Sequence, residues 1–186
     1  MYDLGGSGPN MLLSHANGFH GLCWKPVAEH LIKHFHCHSF DHRGHGDTPA
    51  PKDWTVAWAG YAADASAAAK SIAEPKGIIG VGHSMGGATL LMAAIKDPTL
   101  FRGLLLYEPI VKPDDVRMPA NRPNALAEGA ARRKKTFKSY EEAITNYSNK
   151  MPMTHFTPEA LDAYVRGGFR KGDDGLVHLK CEPELE

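Results

Sequence analysis

The sequence predicts an α/β fold, a mostly parallel sheet flanked by helices and followed by a helical insertion. Three observations predict it. Short apolar runs alternate with helical patterns as far as Tyr107, which is the signature of βαβ units. The runs are apolar throughout rather than every second residue, as parallel strands covered on both faces are. After Pro109 the alternation stops, and a stretch rich in Pro, Asp and Asn leads into helical pieces that carry aromatic residues.

The elements follow in order. Met11-Leu12-Leu13-Ser14 is a strand, entered through the turn formers Gly5-Gly6-Ser7-Gly8-Pro9. Trp24 to Phe35 is a helix, with Val27, Leu31 and Phe35 on one face. His36 to Phe40 is a short strand, and the loop DHRGHGDTPAP follows it. Thr55 to Ala73 is an Ala-rich helix ended by Pro75 and Gly77. Gly77 to Val81 reads as a buried strand. Met85 to Lys96 is apolar on nearly every face, so it reads as a buried helix stopped by Asp97-Pro98. Gly103 to Tyr107 is another buried strand. Residues 112–125 are a loop, and residues 126–170 hold helical pieces bearing Phe137, Tyr140, Tyr147, Phe156, Tyr164 and Phe169.

Composition narrows the function. The 186 residues make about one domain at roughly 150 residues each. Lys plus Arg and Asp plus Glu are both 21, a formal net charge of zero. A nucleic-acid binder working through bulk charge needs a basic excess, and so does a polybasic membrane anchor. No apolar run approaches the roughly 20 residues of a membrane span. MYDLGGSGPN has neither the basic start nor the apolar run of a signal peptide. Three cysteines, Cys23, Cys37 and Cys181, are too few for a disulfide framework, and they make a reducing cytoplasm the expected setting. His34, His36 and His38 alternate, and His30 and His34 are one helical turn apart. With no HExxH and no paired Cys spacing, these read as scattered surface and loop histidines, and no metal or cofactor is expected. Arg132-Arg133-Lys134-Lys135 reads as a solvated helix face.

The motif that carries chemistry is Gly82-His83-Ser84-Met85-Gly86, a G-x-S-x-G. It lies between a buried strand and a buried helix, the setting a nucleophile elbow requires. Gly82 and Gly86 permit the tight turn, and Ser84 stands at its tip. Three further segments stand in order with it: Ser14-His15-Ala16-Asn17-Gly18-Phe19, Asp41-His42-Arg43-Gly44-His45-Gly46-Asp47, and Tyr107-Glu108-Pro109.

Together the four segments resemble the α/β-hydrolase family with a cap domain, over nearly the whole chain. The resemblance implies a core over 1–111, a helical cap over 112–175 inserted after the family's sixth strand, and the start of a return to the core over 176–186. It makes Ser84 the nucleophile, with the backbone amides of Asn17 and Met85 as the oxyanion hole. His15, Gly18 and His83 stand beside them as oxyanion or substrate-binding candidates. His15 reads better as a residue that orders its loop, and His83 as one that shapes the pocket. Dehalogenase relatives also have Asn at the position of Asn17, but with an Asp nucleophile, so Ser84 points to acyl transfer. The Asp41–Asp47 loop reads as structural.

A serine needs a base, and the base an orienting acid. In this fold both follow the nucleophile, in the order Ser, acid, His. Glu108 is a candidate acid, with a carboxylate that touches the cap as the alternative. His155 and His178 are the histidines after Ser84, and both fall in the cap-like region, where they read as structural. The family's seventh and eighth strands are missing, so the chain is expected to be truncated. The expected function is hydrolysis of a small, mostly apolar ester-like substrate, with no nucleic-acid or membrane partner. The alternative is a non-catalytic relative that binds a small molecule or partner through the same pocket. Oligomeric state is not legible in the sequence.

Overall fold

The computed structural model describes residues 1–111 and 125–183. Five strands form one sheet: β1 (Tyr2–Gly5), β2 (Asn10–Ser14), β3 (His36–Phe40), β4 (Ile78–His83) and β5 (Phe101–Tyr107). Their spatial order is β1-β3-β2-β4-β5. β2, β3, β4 and β5 run parallel, and β1 pairs antiparallel with β3.

The helices on the two faces of this sheet are α1 (Lys25–Leu31), α2 (Trp58–Ser71) and α3 (Met85–Lys96). Successive strand residues point to opposite faces. Leu12 accordingly packs with Ala65, Ala69, Leu90 and Ala93 of α2 and α3. Met11 and Leu13 pack on the other side with Ala28 of α1. The core is therefore helix, sheet, helix.

The inserted region builds a third cluster. It holds α4 (Ala125–Ala131), α5 (Tyr140–Ser148) and α6 (Pro158–Gly168). Ser139 caps α5 by accepting from the Glu142 N–H, and Thr157 caps α6 by accepting from the Ala160 N–H. Phe137, Tyr147, Tyr164, Val165 and Phe169 are its buried centre. His20, from the loop after β2, fastens this cluster to the core. Its Nε2–H donates to the Tyr164 carbonyl at 2.9 Å. Gly167 and Gly168 of α6 lie against its ring, and a Cβ on Gly167 would fall 2.2 Å from His20 Cε1.

Several expectations change. The helix expected over 24–35 begins after a 3-10 turn (Gly21–Trp24) and ends at Leu31, where His34 and Phe35 N–H groups both turn back to the Leu31 carbonyl. α3 is buried throughout its first turn and a half, while its last turns bury Ala93 alone and leave Ile95 73% exposed. β5 is an edge strand, not a buried one: Leu105 and Tyr107 are 61% and 59% exposed. One face of β5 packs through Phe101 and Leu104 on the α3 side, and among the described residues no strand pairs with its free edge. A small sheet that the pattern does not announce joins β6 (Thr136–Phe137), β8 (Val177–Leu179) and β7 (Phe169–Lys171), in that order. Strands of two or three residues are too short to show an alternation. Val177–Leu179, expected to begin the return to the core, pairs with strands of the inserted region. Residues 112–124 of the expected loop lie outside the described residues.

Candidate active site

β4 delivers Ser84 to a sharp turn at the carboxyl end of the sheet. Ser84 has φ 53°, a left-handed conformation that costs a side-chain-bearing residue about 1–3 kcal/mol. Its backbone is held from three directions. Ser84 N–H donates to the Tyr107 carbonyl at 3.0 Å, and its carbonyl accepts from Ala88 at 3.1 Å and Ile110 at 3.2 Å. The turn can be this tight because its flanks have no side chains. A Cβ on Gly82 would lie 2.6 Å from Gly87 Cα, and one on Gly86 would lie 2.3 Å from the Ser14 carbonyl oxygen.

Met85 is the first residue of α3. The N–H groups of a helix's first turn have no acceptor within the helix, so that of Met85 remains for a ligand. Opposite it, the Phe19 N–H closes a turn onto the Ala16 carbonyl at 3.1 Å. Asn17 and Gly18 form the corner, with Gly18 at φ 72°. The N–H groups of the two corner residues are not consumed by the turn's own hydrogen bond.

A cavity of about 480 Å³ collects Asn17, His83, Ser84 and Met85 on its wall. Phe19, Trp58, Tyr61, Ile110 and Met153 supply apolar lining, and Arg133 a guanidinium. A second cavity of about 310 Å³ meets His83 and Phe19 from the other side and reaches His15 and His155. Glu108 lies exposed past the end of β5 with φ 43°. Burial depresses the pKa of His83, and the nearby Glu108 charge works against that shift. His178 is held in the small sheet by Asp174, 3.0 Å from its Nε2. Among the described residues, no hydrogen bond joins Ser84 Oγ to a histidine.

A group of buried histidines lies beneath the site, His15 ordering its loop as expected. His15, His20, His42 and His45 are at most 2% exposed. His15 Nδ1–H donates to the Ala16 carbonyl at 2.8 Å, and its Nε2 accepts from the His42 N–H at 3.1 Å. Both ring nitrogens thus bind backbone and tie the loop after β2 to the loop after β3. His42 Nε2 meets Ser14 Oγ at 3.0 Å, while its Nδ1 is buried without a partner. Burial drives the pKa of His42 down to about 3 and that of His45 to about 4. His15 and His20 are lowered by the same cause. These side chains are neutral scaffolding. Asp41 completes the scaffold, accepting from Gly21 N–H at 2.6 Å, Asp47 N–H at 2.7 Å and Tyr2 hydroxyl at 2.5 Å. Arg43 forms a two-pronged pair with Asp64 of α2, 2.6 Å at its shortest.

The fold and this turn define a class. Residues 11–178 match the model of the Alpha/beta hydrolase family, and the chain belongs to that family. It is 31% identical over 150 residues to protein phosphatase methylesterase 1 of Bos taurus, covering 77% of this chain and 38% of that protein. It is 30% identical over 176 residues to the 2-(acetamidomethylene)succinate hydrolase of Mesorhizobium japonicum, covering 94% of this chain and 59% of that one. The chain therefore spans between about two fifths and three fifths of the length of these relatives. Among solved structures, the crystal structure of an E-2-(acetamidomethylene)succinate hydrolase superposes with a TM-score of 0.75 at 22% identity, covering 97% of this chain and 65% of that one. The thioesterase domain from the curacin biosynthetic pathway superposes with a TM-score of 0.74 at 18% identity, covering 97% of this chain and 67% of the other. At these identities the superpositions speak for the fold alone. No helix among the described residues is long and apolar enough to cross a membrane.

Proposed function

We propose that this chain carries the nucleophile and the oxyanion hole of a serine hydrolase acting on a small, mostly apolar ester or related acyl compound. The observation that carries this reading is Ser84, set at φ 53° on the wall of the cavity it shares with Asn17 and Met85. Ser84 Oγ attacks the acyl carbon, and the carbonyl oxygen takes the negative charge. The N–H groups of Asn17 and Met85 stabilise it, and losing one such donor costs about 3–4 kcal/mol in other enzymes. Collapse of the intermediate expels the alcohol, and water then releases the acid from Ser84. The names of the relatives, a methylesterase and a hydrolase, support hydrolytic acyl transfer.

The proton of Ser84 Oγ needs a base. We assign that role to a histidine in the part of the family's length that lies beyond this chain, with Glu108 as the candidate acid from within it. Loss of the base from a serine triad costs on the order of 10⁶ in kcat, or about 8 kcal/mol. A cytoplasmic setting suits Cys23, Cys37 and Cys181, all free thiols.

The second reading is a non-catalytic small-molecule binder. It is favoured by the lack, among the described residues, of a histidine bonded to Ser84. A fluorophosphonate probe applied to the purified chain, with Ser84→Ala as control, separates the two. Rapid labelling that depends on Ser84 supports the hydrolase. If folded protein does not label, the longer parent is assayed for ester turnover. Turnover unchanged by Ser84→Ala overturns the proposal.

A further inference from the structure

At the opposite end of the sheet from Ser84, two strands bring together three side chains with metal-ligating atoms. Asp3 on β1 stands directly opposite His38 on β3, and opposed residues of an antiparallel pair share a face. His36 precedes His38 by two positions, so it lies on that face as well. His36 Nε2 is 2.9 Å from Asp3 Oδ1. The His36 and His38 rings stand 4.1 Å apart, centroid to centroid. One ligand atom from each of the three residues falls within 4.8 Å of the others. His38 is 8% exposed, and its Nε2 lies 3.2 Å from Asn10 Oδ1.

We propose that Asp3, His36 and His38 bind a divalent transition-metal ion of the zinc type. Zinc takes imidazole nitrogen and carboxylate oxygen at about 2.0–2.2 Å in a tetrahedron, so two of its ligand atoms stand at most about 3.6 Å apart. Small side-chain rotations bring the trio within that limit. Two imidazoles select against calcium and magnesium, which prefer oxygen alone. Asn10 Oδ1 or water completes four-fold coordination. The ion pair of His36 with Asp3 and the contact of His38 with Asn10 leave both imidazoles on one face beside the carboxylate.

The position says what the ion does. His36 opens β3 and Asn10 opens β2, and the two are register partners. Ser84 follows the last residue of β4. In a parallel sheet, strand starts and strand ends lie at opposite edges, so the ion stays clear of the cavity. It pins the four-residue β1 to β3, a structural role independent of the hydrolase reading.

The test is titration of chelator-treated protein at about neutral pH, with Zn²⁺ by calorimetry and Co²⁺ by visible absorption. We expect about one equivalent to bind with micromolar affinity or better and to raise the melting temperature. His36→Gln and Asp3→Asn, both at partly exposed positions, each weaken binding by about ten-fold or more, on the scale seen when metal sites lose a supporting group. As a readout that needs no variant, Zn²⁺ protects His36 and His38 from acylation by diethyl pyrocarbonate, read by peptide mass spectrometry. Absence of saturable binding overturns the proposal. So does binding that leaves both histidines unprotected, which puts the ion elsewhere on the chain.

Discussion

His45 Nε2 lies 3.0 Å from Asn17 Oδ1, so a buried imidazole holds the side chain of a residue that lines the Ser84 cavity. Its Nδ1 sits 3.2 Å from the Arg43 carbonyl. Both partners accept, and a neutral ring has one proton. Whichever nitrogen carries it, the ring spans Asn17 and the Arg43 carbonyl. Replacing His45 by Ala frees that turn. Amide hydrogen exchange at Phe19, whose N–H closes the turn onto Ala16, should rise about five-fold, the worth of roughly 1 kcal/mol of lost hydrogen bond. Unchanged exchange would show that the turn holds itself.

Acid should destabilise the protein well above the carboxylate range. His15, His20, His42 and His45 are buried neutral, with pKa values below the ordinary 6.5 and as low as about 3 for His42 and about 4 for His45. Below about 6.5 the unfolded chain takes up protons that the folded chain refuses. Stability is therefore complete above that pH and falls as pH drops from it toward 4 and 3. For each such histidine the loss is about 1.4 kcal/mol per pH unit. Urea midpoints measured on either side of about pH 6 check this. A flat midpoint down to the carboxylate range would remove the histidines from the account.

The outer edge of β5 should make the chain self-associate. Leu105 and Tyr107 stand 61% and 59% exposed on a strand whose edge is unpaired among the described residues. Open apolar edges template further strand pairing. Light scattering should show mass rising with concentration, and Leu105→Lys should suppress the rise without lowering the melting temperature. A wild-type mass independent of concentration would contradict the prediction.

Gly167→Ala should loosen the inserted region. The added methyl would meet the His20 ring, which is 2% exposed and cannot retreat into solvent. Overpacking of this kind costs about 1–3 kcal/mol. Proteolysis within α5 and α6 should speed up before the sheet itself becomes susceptible. Equal rates in both variants would place the fastening elsewhere.

Local signals were legible, and distant pairings were not. The strand-turn-helix around Ser84 could be read because its glycines, its apolar strand and its apolar helix are consecutive. The exposure of β5 could not, because an apolar run looks the same whether or not a neighbour covers it. His15 and His42 are 27 residues apart and share a hydrogen bond through the sheet. Asp3 and His36 are 33 apart and meet through β1. Spacing along the chain carries no trace of either pair, which only the pairing of strands and loops brings together.

Gly86 shows how two parts of the site have become one. Its missing side chain leaves room for the carbonyls of Ser14 and His15, which a Cβ would approach to 2.3 Å and 2.5 Å. The first turn of α3 and the loop after β2 are thus gauged against each other at this single point. In a saturation screen scored on activity, position 86 would look as intolerant as Ser84, the proposed nucleophile. A parallel screen scored on abundance would tell them apart: variants at 84 should persist in the cell, and variants at 86 should vanish from it.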